Sequence, residues 1–293
     1  MPFLQVSFPS HAAAAESAEA ACFELGAGSV TLTDAADEAI LEPAPGTTPL
    51  WPSLRVSALF AIDCDAQAVV RSLCAALAGL ATSAVSVERI ADRVWEREWL
   101  RDFHAMRFGK RLWVAPTHES VETPGAVVVS MDPGLAFGTG THATTALCLD
   151  WLDGARLDGR HIVDYGCGSG VLAVAALKLG ATRVHAVDID AQALLATRSN
   201  AAANGVLAQI EITAPDELRA PCDVLIANIL AGPLIDLAPR LAALVVPGGD
   251  LVLSGVMASE TDAVTLAYQS WFDMKEPCQR DIWARIDGQR RLT

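Results

Sequence analysis

Four apolar runs alternate with helical segments along the second half of the chain, and that alternation constrains the fold more than any other feature. The runs are HIVDY (161–165), RVHAVDI (183–189), DVLIAN (223–228) and DLVLSG (250–255), with helix candidates at 171–179, 191–204 and 232–245. A strand that reads as a continuous apolar run is buried on both faces. Such strands, separated by helices, imply a mostly parallel sheet with helices on both sides. The tail, WFDMKEP followed by DIWARI, reads as two last strands, a hairpin that closes the sheet.

The first ninety residues read differently. FLQVSF (3–8) is a short strand and His11 to Leu25 an alanine-rich helix. Residues 28–33 and 54–62 are strands around the loop EPAPGTTP, Ala66 to Leu80 is a second helix, and Val85 to Ile90 a last strand. The order β-α-β-β-α-β is that of a small ferredoxin-like sandwich. Domain boundaries are expected at 1–92 and 117–293, with 93–116 (RVWEREWLRDFHAMRFGKRLWVAP) as a solvated linker helix. Trp95 and Trp99 lie four apart on one face of that helix and read as core or docking residues at the junction.

Composition narrows the function classes. Of 293 residues, 52% are hydrophobic, enough for a sizeable core, and the formal charge is −14. A surface this acidic argues against nucleic acid or anionic membrane and is compatible with a basic protein partner. The cysteines at 22, 64, 74, 148, 167, 222 and 278 form no C-x-x-C pair. Neither a disulfide framework nor a zinc site is therefore expected, and a reducing, cytoplasmic setting fits. MPFLQVSFPSHAAAAE has no basic and apolar regions of a signal peptide, and the uncharged stretch Ser72 to Val87 is too short to span a bilayer.

Two glycine runs compete for a cofactor: GLAFGTGTHATT (134–145) and VDYGCGSG (163–170). The second follows a strand directly and opens a helix, the context a cofactor turn requires. Its spacing, Gly166, Gly168 and Gly170 followed by Val171, fails the dinucleotide pattern G-x-G-x-x-G. Asp164 at the strand end disfavours a phosphate chain and suits a cationic amino-acid end. Asp188, at the tip of the next strand, stands where an acid binds ribose hydroxyls. A ligand with a ribose, a cationic end and no phosphates fits S-adenosylmethionine. A nicotinamide-dependent dehydrogenase stays open, since Asp188 would serve its ribose too.

In GTGTHATT the turn does not follow its strand directly, because MDPGLAF intervenes. Thr144 and Thr145 are expected to cap the helix TTALCLDWL. The glycine-hinged loop with Phe137, Thr141 and His142 is expected to fold over a bound cofactor as a lid. His142 has no second ligand at metal spacing, so no metal is expected. Asn228 ends the strand in IANIL at the sheet edge where ligands bind, and its amide could hold a substrate amine. The competing reading is a turn cap at the strand end.

VDYGCGSG, AVDID and IANIL resemble the motifs of Class I S-adenosylmethionine-dependent methyltransferases. More narrowly, DPGLAFGTGTHATT, YGCGSGVLAVAALKLGA and ANILAGPL resemble the bacterial methyltransferases of ribosomal large-subunit protein L-eleven. The resemblance implies a Rossmann-like seven-stranded sheet and a small N-terminal α+β (ferredoxin-like) domain that recognises substrate. It implies methylation of lysine side chains and of the N-terminal amine, up to trimethylation. It maps cofactor contacts onto Thr145, Gly166, Asp188 and Asn228, which join Asp164, Gly168, Phe137 and Thr141 as candidates. Against the family pattern, 206–222 is short and reads as a surface loop. A monomer is expected, and the linker suggests that the two domains move. A non-catalytic module docking on the ribosome is the alternative from another class.

Overall fold

The computed structural model describes residues 3–36, 49–90, 104–131, 141–218 and 221–292. The chain divides into two units, Met1–Glu98 and Trp99–Thr293.

In the first unit, β1 (Phe3–His11) and β3 (Ser53–Ala61) pair antiparallel along their whole length. Their alternating residues Leu4, Val6 and Phe8, and Leu54, Val56, Ala58 and Phe60, are buried. That period of two gives one apolar face. It is covered by α1 (Ala15–Glu24), through Ala18, Ala21 and Cys22, and by α2 (Ala66–Ala76), through Val69, Val70 and Leu73. Asp65 caps α2 by accepting from the Gln67 and Ala68 N–H groups. With β2 (Ser29–Asp34) and β4 (Ser86–Ile90), the strand order is β2-β3-β1-β4, all antiparallel. This is the ferredoxin-like arrangement that the β-α-β-β-α-β order predicts.

The second unit is built on a larger sheet of order β10-β9-β8-β11-β12-β15-β13. Its parallel centre is β8 (His161–Tyr165), β9 (Arg183–Val187), β10 (Ile210–Thr213), β11 (Cys222–Asn228) and β12 (Val245–Met257). β15 (Trp283–Arg290) pairs antiparallel with β12 and with β13 (Phe272–Met274). A short β14 (Cys278–Arg280) also pairs with β15, so the tail contributes three strands where a two-stranded hairpin is expected. β10 lies inside 206–222, the stretch read as a surface loop. It is four residues long and at the sheet edge, too short and too exposed to leave an apolar run.

Successive strand residues face opposite layers. Ile162, Val184, Ala186, Val224, Ile226 and Val252 join the core under α3 (Ala143–Gly154) and α4 (Val171–Lys178). Val163, Val187, Leu225, Ala227, Leu251 and Leu253 join the core under α6 (Ala231–Leu244) and α7 (Thr261–Tyr268). α5 (Ala191–Ala203) packs beside β9 and β10.

A small third sheet joins β5 (Met106–Phe108), β6 (Leu112–Ala115) and β7 (Val127–Ser130). Residues 106–115 are therefore a β-hairpin, not the second half of a linker helix. The tight turn at Gly109 and Lys110 is held by α3 carboxylates: Asp150 accepts from the Gly109 N–H at 2.7 Å, and buried Asp153 from the Lys110 and Leu112 N–H groups. Trp95 and Trp99 lie outside the described residues.

Candidate active site

The sheet path reverses at β8. From there the chain runs outward to β9 and β10 on one side and returns to β11 on the other. The carboxyl ends of β8 and β11 thus flank the crevice in which open α/β sheets bind ligands.

The turn after β8 is a glycine turn by conformation as well as by sequence. Gly166, Gly168 and Gly170 all have positive φ, at 80°, 53° and 79°, a region side chains avoid. At Gly170 a Cβ would also meet the Thr197 side chain at 2.8 Å. The turn hangs on β9 through Gly166 and Cys167 N–H bonds to the Val187 carbonyl. From α5, the Thr197 hydroxyl donates to the Gly168 carbonyl, and the Asn200 amide donates to the Ser169 carbonyl.

Asp188 stands just past β9. One carboxylate oxygen accepts from the Gly168 N–H at 2.9 Å, the other from the Asp190 N–H at 3.0 Å. The acid thus props the turn and keeps lone pairs for a further donor. Next to it, Ile189 is 91% exposed. It is an exposed apolar side chain beside the acid that is the candidate for ribose hydroxyls, and sequence reading missed it. Its signal is a β-branched apolar residue between two acids at a strand tip.

Asp164 is 1% exposed. One oxygen accepts from the Ala173 N–H at 3.0 Å, satisfying an otherwise unpaired donor in the first turn of α4. The other oxygen is buried without a partner among the described residues. Burial pushes the carboxyl up, the Ala173 N–H pulls it down and the Asp188 charge pushes it up, and together they set it at about 7. Asp164 therefore lies beneath the turn with one acceptor unspent.

Asn228 ends β11 half-buried, and its Nδ2 donates to the Thr145 hydroxyl at 3.3 Å. Thr145 is 1% exposed in the first turn of α3. The helix is capped by His142, whose Nδ1 accepts from the Thr144 N–H. Capping by Thr144 and Thr145 is thus corrected: both sit inside the helix, and a histidine ring nitrogen supplies the acceptor. The His142 ring also meets the edge of Trp283, centroids 4.9 Å apart. Two further bonds tie α3 to the sheet: Ser254 Oγ to the Thr144 carbonyl, and Arg285 Nη1 to the Leu147 carbonyl.

Two groups of predicted residues therefore form. Asp164, Gly166, Gly168 and Asp188 share one turn, and Thr145 and Asn228 share one hydrogen bond. Thr141 is exposed just before the His142 cap, and Phe137 lies outside the described residues. The described residues include no cluster of His, Cys, Asp or Glu fit to hold a metal.

The donor set suits S-adenosylmethionine. The turn's three glycines at positive φ bring bare backbone to the crevice, Asp188 has lone pairs that suit ribose hydroxyls, and Asp164 keeps a buried acceptor that suits an ammonium group. A family model described as "Ribosomal protein L11 methyltransferase (PrmA)" matches residues 2–291. The chain belongs to this family. It is 51% identical over 293 residues to the ribosomal protein L11 methyltransferase of Azotobacter vinelandii, covering 99% of this chain and all of the relative. It is 51% identical to the Pseudomonas aeruginosa (strain LESB58) protein of that name, covering 99% of each chain. A crystal structure of the Lactobacillus delbrueckii subsp. bulgaricus ribosomal protein L11 methylase aligns at TM-score 0.60 and 29% identity. It covers 64% of this chain and all of that one. Membership of this family sets aside the dehydrogenase and the non-catalytic module.

Proposed function

We infer that the chain transfers methyl groups from S-adenosylmethionine to amines of ribosomal protein L11, the lysine side chains and the N-terminal amine, up to trimethylation. The observation that carries this reading is the juxtaposition at the switch point. A glycine cradle with its ribose acid stands on β8 and β9, and a hydrogen-bonded amide faces it from β11.

S-adenosylmethionine supplies a methyl carbon made electrophilic by its sulfonium. The chain's own residues do the rest. Asp188 and the turn fix the donor, and Asp164 offers its free oxygen to the cationic end. Asn228, which gives one amide hydrogen to the Thr145 hydroxyl, offers its carbonyl oxygen in the crevice in this reading. There it accepts an N–H of the substrate amine and holds the lone pair toward the methyl group. A lysine amine titrates near 10.4 in water. Burial and a neighbouring positive charge both lower that value, so no strong base is required. Positioning and exclusion of water supply the rate.

The first unit is the substrate-recognition domain in this reading. A recess of about 520 Å³ at one end of it, lined by Phe8, His11, Leu77 and Leu80 among others, supports that role. Among the described residues no helix is long and apolar enough to cross a membrane. We place the protein in the cytoplasm as a monomer that contacts neither nucleic acid nor membrane.

The test is methyl transfer. Purified protein, labelled S-adenosylmethionine and purified L11 are incubated, and the product is weighed by intact mass spectrometry. Mass gains in steps of one methylene are expected. No gain despite measurable donor binding would throw the substrate open. Asn228→Ala is expected to lower kcat by about 100-fold, the scale of losing one oriented polar group at a reacting centre, while donor affinity changes far less. Equal loss of both would make Asn228 a donor contact only.

A further inference from the structure

The residue after Asn228 is packed into the space of two glycines. Gly166, in the donor turn, has φ of 80°, and a Cβ there would overlap the Ile229 Cγ2 methyl. Gly255, in β12, has φ of 84°, and a Cβ there would stand 2.7 Å from the Ile229 carbonyl carbon and 2.9 Å from its nitrogen. The Ile229 N–H donates to the Ser254 carbonyl at 3.1 Å, one residue before Gly255. The β12–β15 pairing shifts register across the same place, between Leu253 and Val256. A bulge with a glycine is how a strand admits close approach of another backbone. The β-branch of Ile229 thus rests on the donor turn, while its backbone rests on β12.

We propose that Ile229 is a positioning residue for methyl transfer, wedged between Gly166 and Gly255 so that the Asn228 amide is held at a fixed place against the donor turn. The inference rests on the methyltransferase reading above. Three features make the wedge rigid. A β-branched side chain has a stiff χ1, the glycines leave it no slack, and Thr145 fixes the amide plane of Asn228 from the other side. Ile229 is also half-buried against the core under α6 and α7. A residue that only fills that core would respond to lost volume. A wedge responds to lost branching at Cβ, because Cγ2 is the atom that meets Gly166.

Three variants separate the two roles. Ile229→Val keeps both γ carbons and loses only Cδ1, Ile229→Leu keeps the volume and loses the branch, and Ile229→Ala loses both. Each is measured for kcat on L11, for S-adenosylhomocysteine affinity by calorimetry and for Tm. Displacements of about 1 Å away from the chemistry cost up to about 100-fold in rate. Leu and Ala are therefore expected to lower kcat about tenfold or more, and Val to restore most of it. The S-adenosylhomocysteine Kd should stay within about threefold of wild type, and Leu should melt near the wild type. Leu turning over as fast as Val overturns the proposal. So does a kcat that falls in step with Tm across the series, or a donor affinity that falls as far as kcat. A wild type that binds donor but leaves L11 unmethylated overturns the functional reading and this inference together. An active wild type with three equally active variants overturns the inference alone.

Discussion

The two edges of the large sheet use their polar groups in opposite ways. At the amino edge they pair with each other. Arg160 meets Asp250 at 2.5 Å, Arg183 meets Glu211 at 2.5 Å, and the Asp223 carboxylate accepts from the His161 N–H at 2.8 Å. At the carboxyl edge they are left incomplete. Among the described residues Asp164 keeps one buried oxygen without a partner, Asp188 accepts from two backbone N–H groups, and Asn228 gives one amide hydrogen to Thr145. Buried polar groups are normally satisfied, so the unpartnered Asp164 oxygen fits the proposal that a ligand completes this edge. β9 shows the contrast within a single strand, with Arg183 at its start and Asp188 just past its end.

The strongest way to break this comparison is Asp188→Ala. The substitution removes the proposed acceptor for ribose hydroxyls and frees the Gly168 and Asp190 N–H groups at once. Hydrogen bonds to a charged group are worth about 1.5–3 kcal/mol. Donor affinity is therefore expected to fall by about 100-fold, read by calorimetry with S-adenosylhomocysteine. Unchanged affinity would mean that the incomplete edge is not the donor site.

Asp164→Asn sharpens the comparison, because it should move stability and binding in opposite directions. Burial raises the Asp164 carboxyl from the ordinary carboxylate range to about 7. Between about pH 4, where the unfolded chain titrates, and pH 7, the folded protein holds a proton that the unfolded chain has released. Stability then falls as pH rises through that window. The strain is absent below pH 4 and fully present above 7. An amide still accepts from the Ala173 N–H but carries no charge to bury. Asn is expected to stabilise the protein by about 2 kcal/mol at pH 8, with the gain shrinking toward pH 5, while donor affinity drops. Chemical denaturation at the two pH values reads the sign. A gain independent of pH would show that Asp164 is not the titrating group.

How much of this was legible in the sequence depends on how far apart the partners lie along the chain. β8, β9, β11 and β12 announce themselves because strands buried on both faces are apolar throughout. β10 does not, being a half-buried edge strand of four residues. The β5–β6 hairpin hides because its turn is held by Asp150 and Asp153, some 41 residues away from their N–H partners. At the site, the glycine turn and Asp188 follow from local spacing. That Asp164 lies beneath the turn, bonded to Ala173, does not, because sequence gives a residue's place on a strand but not which backbone donor its side chain meets. The Thr145–Asn228 bond joins positions 83 apart. The His142 cap is not legible either, because histidine is a rare cap; its Nδ1 takes that role by accepting from the Thr144 N–H.

The smallest expected effect tests the other edge. Arg183 and Glu211 are about half exposed, with side-chain exposures of 52% and 44%. Exposed ion pairs are worth about 0.2–1 kcal/mol because water and salt screen them and two long side chains lose freedom. Arg183→Ala should therefore cost under about 1 kcal/mol of stability, with most of that cost gone at high salt. Donor affinity and turnover should not change, since five residues of strand, roughly 16 Å at 3.3 Å per residue, separate Arg183 from Asp188. His185 lies between them, held toward its neutral form by burial although Glu211 pulls the other way. It gives the pair no second charge through which to act. If Arg183→Ala weakens the donor as Asp188→Ala does, β9 transmits strain from one edge to the other, and the separation between a paired edge and a working edge fails at the strand where it is sharpest.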